Sequence, residues 1–145
     1  MGFGVSGSTA IIFLGVLIAT GTLYTATSNA SENLLEAQDA DAEQALERTN
    51  TEIVISNATY NASGSDSLVV NITNTGATTL EVDETTLLVD NVYTNTSGVT
   101  TVDGNQATNL WYPGEHLVMN VSLGSAPGRV KVVTGTGVAA TEEVI

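Results

Sequence analysis

Ala10-Ile11-Ile12-Phe13-Leu14-Gly15-Val16-Leu17-Ile18-Ala19 is apolar throughout apart from one glycine, and no charged side chain stands anywhere from Gly2 to Tyr24. Phe3 to Tyr24 is 22 residues, which as an α-helix extends about 33 Å, close to the hydrocarbon thickness of a bilayer. This predicts one membrane span, anchored by Phe3, Ile11, Ile12, Phe13, Leu14, Val16, Leu17 and Ile18. Gly4, Gly7, Thr9, Gly15, Thr20, Gly21 and Thr22 would weaken a soluble helix, yet small residues are common where transmembrane helices pack together. Tyr24 fits an aromatic at the membrane interface.

Two other readings of this stretch are open. A cleaved secretory signal needs a basic leading region, and here the α-amino group is the only positive charge ahead of the apolar run, although Thr25-Ala26-Thr27 is an Ala-x-Ala-like site. The hydrophobic N-terminal helix of archaeal flagellins and pilins packs in a filament core after cleavage beside a Lys/Arg-Gly. Met1-Gly2 offers no such basic residue, so a retained anchor is the preferred reading.

Beyond the anchor and the segment that follows it, roughly 95 residues remain, enough for one small domain with its own core. Sixteen acidic residues face three basic ones, Arg48, Arg129 and Lys131, for a net charge of −13. The acidity is spread along the chain. High salt screens the self-repulsion that such a surface would otherwise suffer, so a halophilic setting is expected. Nucleic-acid binding is disfavoured, because it needs clustered Lys and Arg. The absence of cysteine removes disulfides, thiolate metal sites and cysteine nucleophiles together.

The flank after the span is acidic (Glu32, Glu36, Asp39, Asp41, Glu43), and the segment before it is very short, which favours placing the bulk of the chain outside. Six Asn-x-Ser/Thr sequons, at Asn29, Asn57, Asn61, Asn71, Asn95 and Asn120, add modest support as candidate N-glycosylation sites.

Ser31-Glu32-Asn33-Leu34-Leu35 offers a serine N-cap and an acidic first turn. Leu34, Leu35, Gln38, Ala42, Ala45 and Leu46 then recur at helical spacing to Thr49. This predicts a stalk helix, continuous with the span or hinged from it at Ser28-Asn29. A coiled coil is a weaker reading, because the stripe is alanine-rich and short.

From Thr51 the period becomes two. Ile53, Ile55 and Asn57 are expected on one face, with Val54 and Ser56 on the other. Leu68, Val70 and Ile72 alternate with Val69, Asn71 and Thr73, and turns fall at Asn61 to Asp66 and at Asn74-Thr75-Gly76. Further strands are expected at Thr79 to Val82, Thr85 to Val89, Val92 to Thr94, Val99 to Val102, Leu117 to Val121 and Arg129 to Thr134, with a hairpin loop at Asp90-Asn91. The tail from Gly135 is expected to begin as strand and end loose. Seven or eight short strands argue for an antiparallel β-sandwich. The predicted organisation is a transmembrane anchor over 1–26, a stalk helix over 27–50 and a β-sandwich ectodomain over 51–145, mainly β overall.

Leu68-Val-Val-Asn-Ile-Thr-Asn-Thr-Gly76-Ala-Thr-Thr-Leu80, followed by Trp111-Tyr-Pro113-Gly114-Glu115-His-Leu-Val-Met-Asn-Val121, resembles the adhesion-type immunoglobulin-like domains of archaeal surfaces. In those domains a V-x-N-x-G-x-x-x-L strand-turn-strand precedes a P-G-E turn. With the single span and the Ala/Glu-rich stalk, the chain resembles the F-type accessory proteins of the archaellum, the archaeal flagellum, in halophile form; the G-type relatives share the plan. The resemblance implies a stator that holds the membrane to the surface layer from the pseudoperiplasm, with surface-layer protein and other archaellum accessory or motor proteins as partners, and homodimerisation as a further option. It implies no cofactor.

No catalytic constellation can be nominated. The lone His116 and its neighbour Glu115 are expected on opposite faces, with no Ser/His/Asp spacing around them. Asp83-Glu84 and Asp90 hold oxygen ligands but lack a calcium-loop signature, so solvated strand ends account for them. Trp111-Tyr112 reads as closure of the core. Three classes remain: a non-enzymatic anchor in the archaellum motor, a pilin-like filament subunit, and an adhesion or solute-binding ectodomain, the last requiring a concave apolar pocket. For an anchor, the surface-layer contact is expected on a sheet carrying Val118 and Asn120 and the region of Arg129 and Lys131.

Overall fold

The structure, a computed structural model, describes residues 3–62, 66–96 and 100–145. The Phe3 side chain, Met1-Gly2, Val99 and the centre of the turn after Asn61 lie outside the described residues.

One α-helix, α1 (Phe3–Asn50), opens the chain. It is long and apolar enough to cross a membrane, and none of its most apolar window is buried against the rest of the protein. No break occurs at Ser28-Asn29, where the sequence allows a hinge. The threonine hydroxyls stay bonded within the helix. Thr9 donates to the Val5 carbonyl (2.8 Å), Thr20 to Val16 (2.6 Å), Thr22 to Ala19 (2.9 Å), Thr25 to Gly21 (3.0 Å) and Thr27 to Leu23 (2.8 Å). A hydroxyl bonded within its own helix needs no partner in lipid, so these threonines are compatible with a span.

Among the described residues ten strands follow: β1 (Ile53–Asn61), β2 (Ser67–Asn74), β3 (Leu80–Glu81), β4 (Thr86–Val89), β5 (Val92–Thr94), β6 (Thr100–Val102), β7 (Leu110–Trp111), β8 (His116–Ser122), β9 (Arg129–Val133) and β10 (Ala139–Glu143). They form two four-stranded antiparallel sheets, ordered β1-β2-β8-β6 and β10-β9-β4-β5, and a small β3-β7 ribbon. Alternation puts Leu68, Val70, Ile72, Leu117, Met119 and Val121 of the first sheet and Leu87, Val89, Val130 and Val132 of the second into one buried cluster. This is a helix followed by an antiparallel β-sandwich.

The chain divides into two compact units, Met1–Glu43 and Gln44–Ile145, so the last turns of α1 belong with the sandwich.

Two sequence expectations are corrected, and one strand is found that no expectation covers. Asn57 does not share a face with Ile53 and Ile55. The register of β1 on β2 shifts between Ile55 and Asn57, and this bulge at Ser56 turns Asn57 outward and Ala58 into the core. The tail behaves opposite to expectation: Gly137 (φ +83°) closes a turn over 134–138, β10 then pairs with β9, and the end is tied down. Ile145 donates to the Ala58 carbonyl and accepts from the Tyr60 amide, both at 3.0 Å, linking the last residues to β1. Finally, Leu110–Trp111 is a strand, paired with Leu80–Glu81. The Asp90-Asn91 hairpin holds as expected, with both residues at positive φ (50° and 68°), the signature of a type I′ turn.

Candidate contact surfaces

The end of α1 is gripped by the loop between β2 and β3. Ala77 and Thr78 amides donate to the Asn50 carbonyl (2.8 and 3.3 Å), and Thr75 and Gly76 amides donate to Glu52 (2.9 Å each). Thr51 Oγ1 returns to the Glu47 carbonyl at 2.7 Å, and Arg48 Nε donates to Thr136 O at 3.1 Å. Of the carbonyls that a helix leaves unpaired at its C-terminus, the last is thus met by a distant loop and that of Glu47 by the adjacent Thr51, with a cation in the last turn where the helix dipole favours it. Gly76 is required by closeness: a Cβ there would stand 2.5 Å from both Asn50 O and Glu52 N.

The two motifs of the sequence meet at Asn74. Its fully buried side chain donates from Nδ2 to Thr78 O (2.9 Å) and Trp111 O (3.2 Å), while Oδ1 accepts from the Gly76 amide (3.1 Å). Across from it, Tyr112-Pro113-Gly114-Glu115 turns with Gly114 at φ +87°, as the third residue of a type II turn requires. The Glu115 carboxylate accepts from the Tyr112 amide (2.8 Å), and Trp111 Nε1 donates to Glu115 O (2.8 Å). Trp111 is fully buried and closes the core; Tyr112 is half exposed, so only the first of the aromatic pair serves that role.

The four predicted contact residues do not share a sheet. Val118 and Asn120 project from β8 on the outer face of the first sheet, whereas Arg129 and Lys131 project from β9 on the outer face of the second, because each sheet turns its buried alternate residues toward the common core. Sequence alternation distinguishes in from out but does not say to which sheet a strand belongs. On the second sheet Lys131 is aligned with Leu88, and Leu88 with Tyr93, which is 66% exposed. Sequence reasoning does not single out Tyr93 and its neighbour Val92 at this edge; the signal available is an apolar pair directly after the Asp90-Asn91 turn.

On the first sheet, Ser56 and His116 are linked through Thr73, with Ser56 Oγ to Thr73 Oγ1 at 3.0 Å and Thr73 Oγ1 to His116 Nδ1 at 2.9 Å. Nothing in this exposed chain of groups resembles a nucleophile held by a base and an orienting acid. The two oxygens of Asp90 accept from the amides of Gly128 and Arg129, tying the hairpin to the start of β9. Among the described residues no three acidic or histidine side chains gather as a metal site. The clefts beside Val82, Tyr93 and Thr100 and beside Arg48, Glu84 and Thr136 are open and lined largely by polar groups. The Tyr60 phenol is pushed above its ordinary 10.0 by partial burial, by its hydrogen bond to Asp66 (3.2 Å) and by that carboxylate's charge.

The fold is a long, largely apolar helix joined to an antiparallel β-sandwich. Two solved structures are similar to it. One is the archaellum periplasmic stator protein complex FlaF and FlaG from Sulfolobus acidocaldarius, at 21% identity over 63% of this chain and 87% of that one, with a TM-score of 0.44. The other is the archaellum periplasmic stator protein FlaG from the same organism, at 20% identity over 63% of this chain and 97% of that one, with a TM-score of 0.41. No protein-family model and no curated protein matches the chain.

Proposed function

We propose that this chain is a non-enzymatic, membrane-anchored component of the archaellum motor, of the F or G type. Its apolar helix crosses the membrane once, its sandwich stands in the pseudoperiplasmic space of a halophile, and it acts as a stator by linking the membrane to the surface layer. The observation that carries this reading is the grip on the end of α1. A helix whose last carbonyl and last-turn arginine are hydrogen-bonded into the sandwich ends in a fixed attachment and not in a flexible linker. The meeting of the strand-turn-strand and P-G-E motifs at Asn74 supports the resemblance from which the archaellum assignment comes.

The contact face is assigned to the second sheet. Arg129 and Lys131 are two of the three cations on a chain of net charge −13; Lys131 is aligned with Leu88, which is aligned in turn with Tyr93, while Arg129 is aligned with Glu143 of β10. An acidic, partly apolar surface-layer segment suits them. The decisive experiment takes the full chain from native membranes, sequences its N-terminus, and tests co-sedimentation with isolated surface layer. An unprocessed N-terminus together with lattice binding that falls in the Arg129→Ser/Lys131→Ser double variant supports the stator. Unchanged binding by that variant overturns the assigned face.

A second reading, the pilin-like filament subunit, is favoured by one observation: α1 runs without interruption through Ser28-Asn29. It predicts a processed N-terminus in sheared filaments.

A further inference from the structure

The sequons are not scattered over the folded sandwich. Asn57, Asn61, Asn71 and Asn120 all lie on the outer face of the β1-β2-β8-β6 sheet. Asn57 is directly opposite Asn71, Asn61 is opposite Ser67, and Asn120 is opposite Val69. No sequon lies within the described strands of the other sheet; Asn95 stands past the end of β5, beside Thr96 and Thr100.

The four positions are not equivalent. Asn57 and Asn120 are exposed, whereas Asn71 is half-buried on a central strand between Asn57 and Val118. Side chains directly opposite one another on neighbouring strands are only about 5 Å apart. β6 pairs with β8 only over 117–119, so no described residue is paired with Asn120 on that side. Asn57 lies on the outer strand of its sheet, beside the bulge and just ahead of Ala58 and Tyr60, the two residues of β1 that bond to Ile145. Asn57 and Asn120 are two strands apart, about 10 Å in the pairing direction alone, enough for two sugars side by side. Each also carries its sequon hydroxyl on the same face, as strand alternation requires: Thr59 Oγ1 donates to Asn57 Oδ1 at 3.0 Å, and Ser122 is exposed beyond Asn120.

We propose that Asn57 and Asn120 carry N-linked glycans, with Asn71 left bare between them, so that one face of the sandwich is covered by sugar and the Arg129/Lys131 face is left for protein contact. In the modification, Asn Nδ2 forms a bond to the anomeric carbon of a sugar activated as a lipid-linked phosphate ester. The bond from that carbon to the phosphate oxygen breaks, the lipid phosphate leaves with the bonding pair, and the amide proton passes to a base of the transferase. The inference rests on the outside location proposed above.

The test uses the full chain from native membranes, digested and mapped by mass spectrometry. It is run alongside Thr59→Ala and Ser122→Ala, which remove the sequon hydroxyls from exposed positions and keep both asparagines. The expected result is a hexose-containing mass on the Asn57 and Asn120 peptides and none on Asn71, with one glycan mass lost in each variant and two in the double. Either of the two peptides bare, or sugar on Asn71, overturns the proposal whatever Asn29, Asn61 and Asn95 carry. Location is read separately. The chain has no cysteine, so Ser125→Cys in an exposed loop offers a single thiol to a membrane-impermeant maleimide on intact cells. Labelling with both peptides bare rejects the glycan face alone; thiols that react only after lysis reject the outside location and the glycans with it.

Discussion

The two ends of α1 obey different physics. From Ile11 to Leu23 the large apolar side chains are all 59–73% exposed, and the glycines at 4, 7, 15 and 21 have nothing within 4 Å of where a Cβ would stand. At the other end Gly76 is pressed against the helix terminus, and hydrogen bonds from distant segments meet its last turn. One end is specified by its solvent and the other by its own chain. A residue in the first region is therefore replaceable so long as the surroundings accept it, and a residue in the second only if its neighbours do.

The largest effect that would sharpen this contrast is expected at Trp111→Ala, which leaves a cavity in a fully packed core and costs about 3–5 kcal/mol. Thermal unfolding of the sandwich in detergent, followed by circular dichroism, should show a drop of well over about 10 °C; a shift of a degree or two would mean that the core is not closed by Trp111. Leu14→Asp, at the centre of the apolar run, should cost about 2.5–3.5 kcal/mol of membrane insertion while leaving the same unfolding transition unmoved. Loss of membrane association with an unchanged transition supports the contrast, and a lowered transition breaks it.

Gly76→Ala should destabilise by about 2 kcal/mol, within the range for a forced backbone shift, and should speed amide exchange at Ala77 and Thr78 ahead of the core strands. Uniform protection would show that the grip does not depend on Gly76. The smallest effect concerns Tyr60. Its raised folded value means that the folded state holds the phenol proton more tightly than the unfolded state, so this contribution is complete below pH 10.0 and fades as pH rises through the higher folded value. Tyr60→Phe should flatten the alkaline fall in stability, and an unchanged profile between wild type and variant rejects the Asp66 pairing.

Much of the fold is legible because its signals are local. An uncharged apolar run, a switch of period from helical to two at Thr51, and the Asp90-Asn91 turn each announce themselves within a few residues. What stays hidden depends on pairing. The bulge at Ser56 is visible only against β2, since nothing in Ile53 to Tyr60 marks the extra residue. Leu110–Trp111 is too short to show a period and becomes a strand through Leu80–Glu81. Alternation marks Val118, Asn120, Arg129 and Lys131 as outward, but the placing of β8 and β9 in different sheets is a fact of topology. Likewise, the sequons can be counted from the sequence, and their convergence on one face cannot.

The bonds from Ile145 to Ala58 and Tyr60 have a mechanical meaning. β1 is the strand into which the helix feeds, and it is held on one side by the full length of β2 and on the other by the last residues of the chain. Pulled along its length, such a strand is loaded in shear, so that its rungs must fail together instead of peeling one after another. The outermost strand of the sheet is thereby held on both sides.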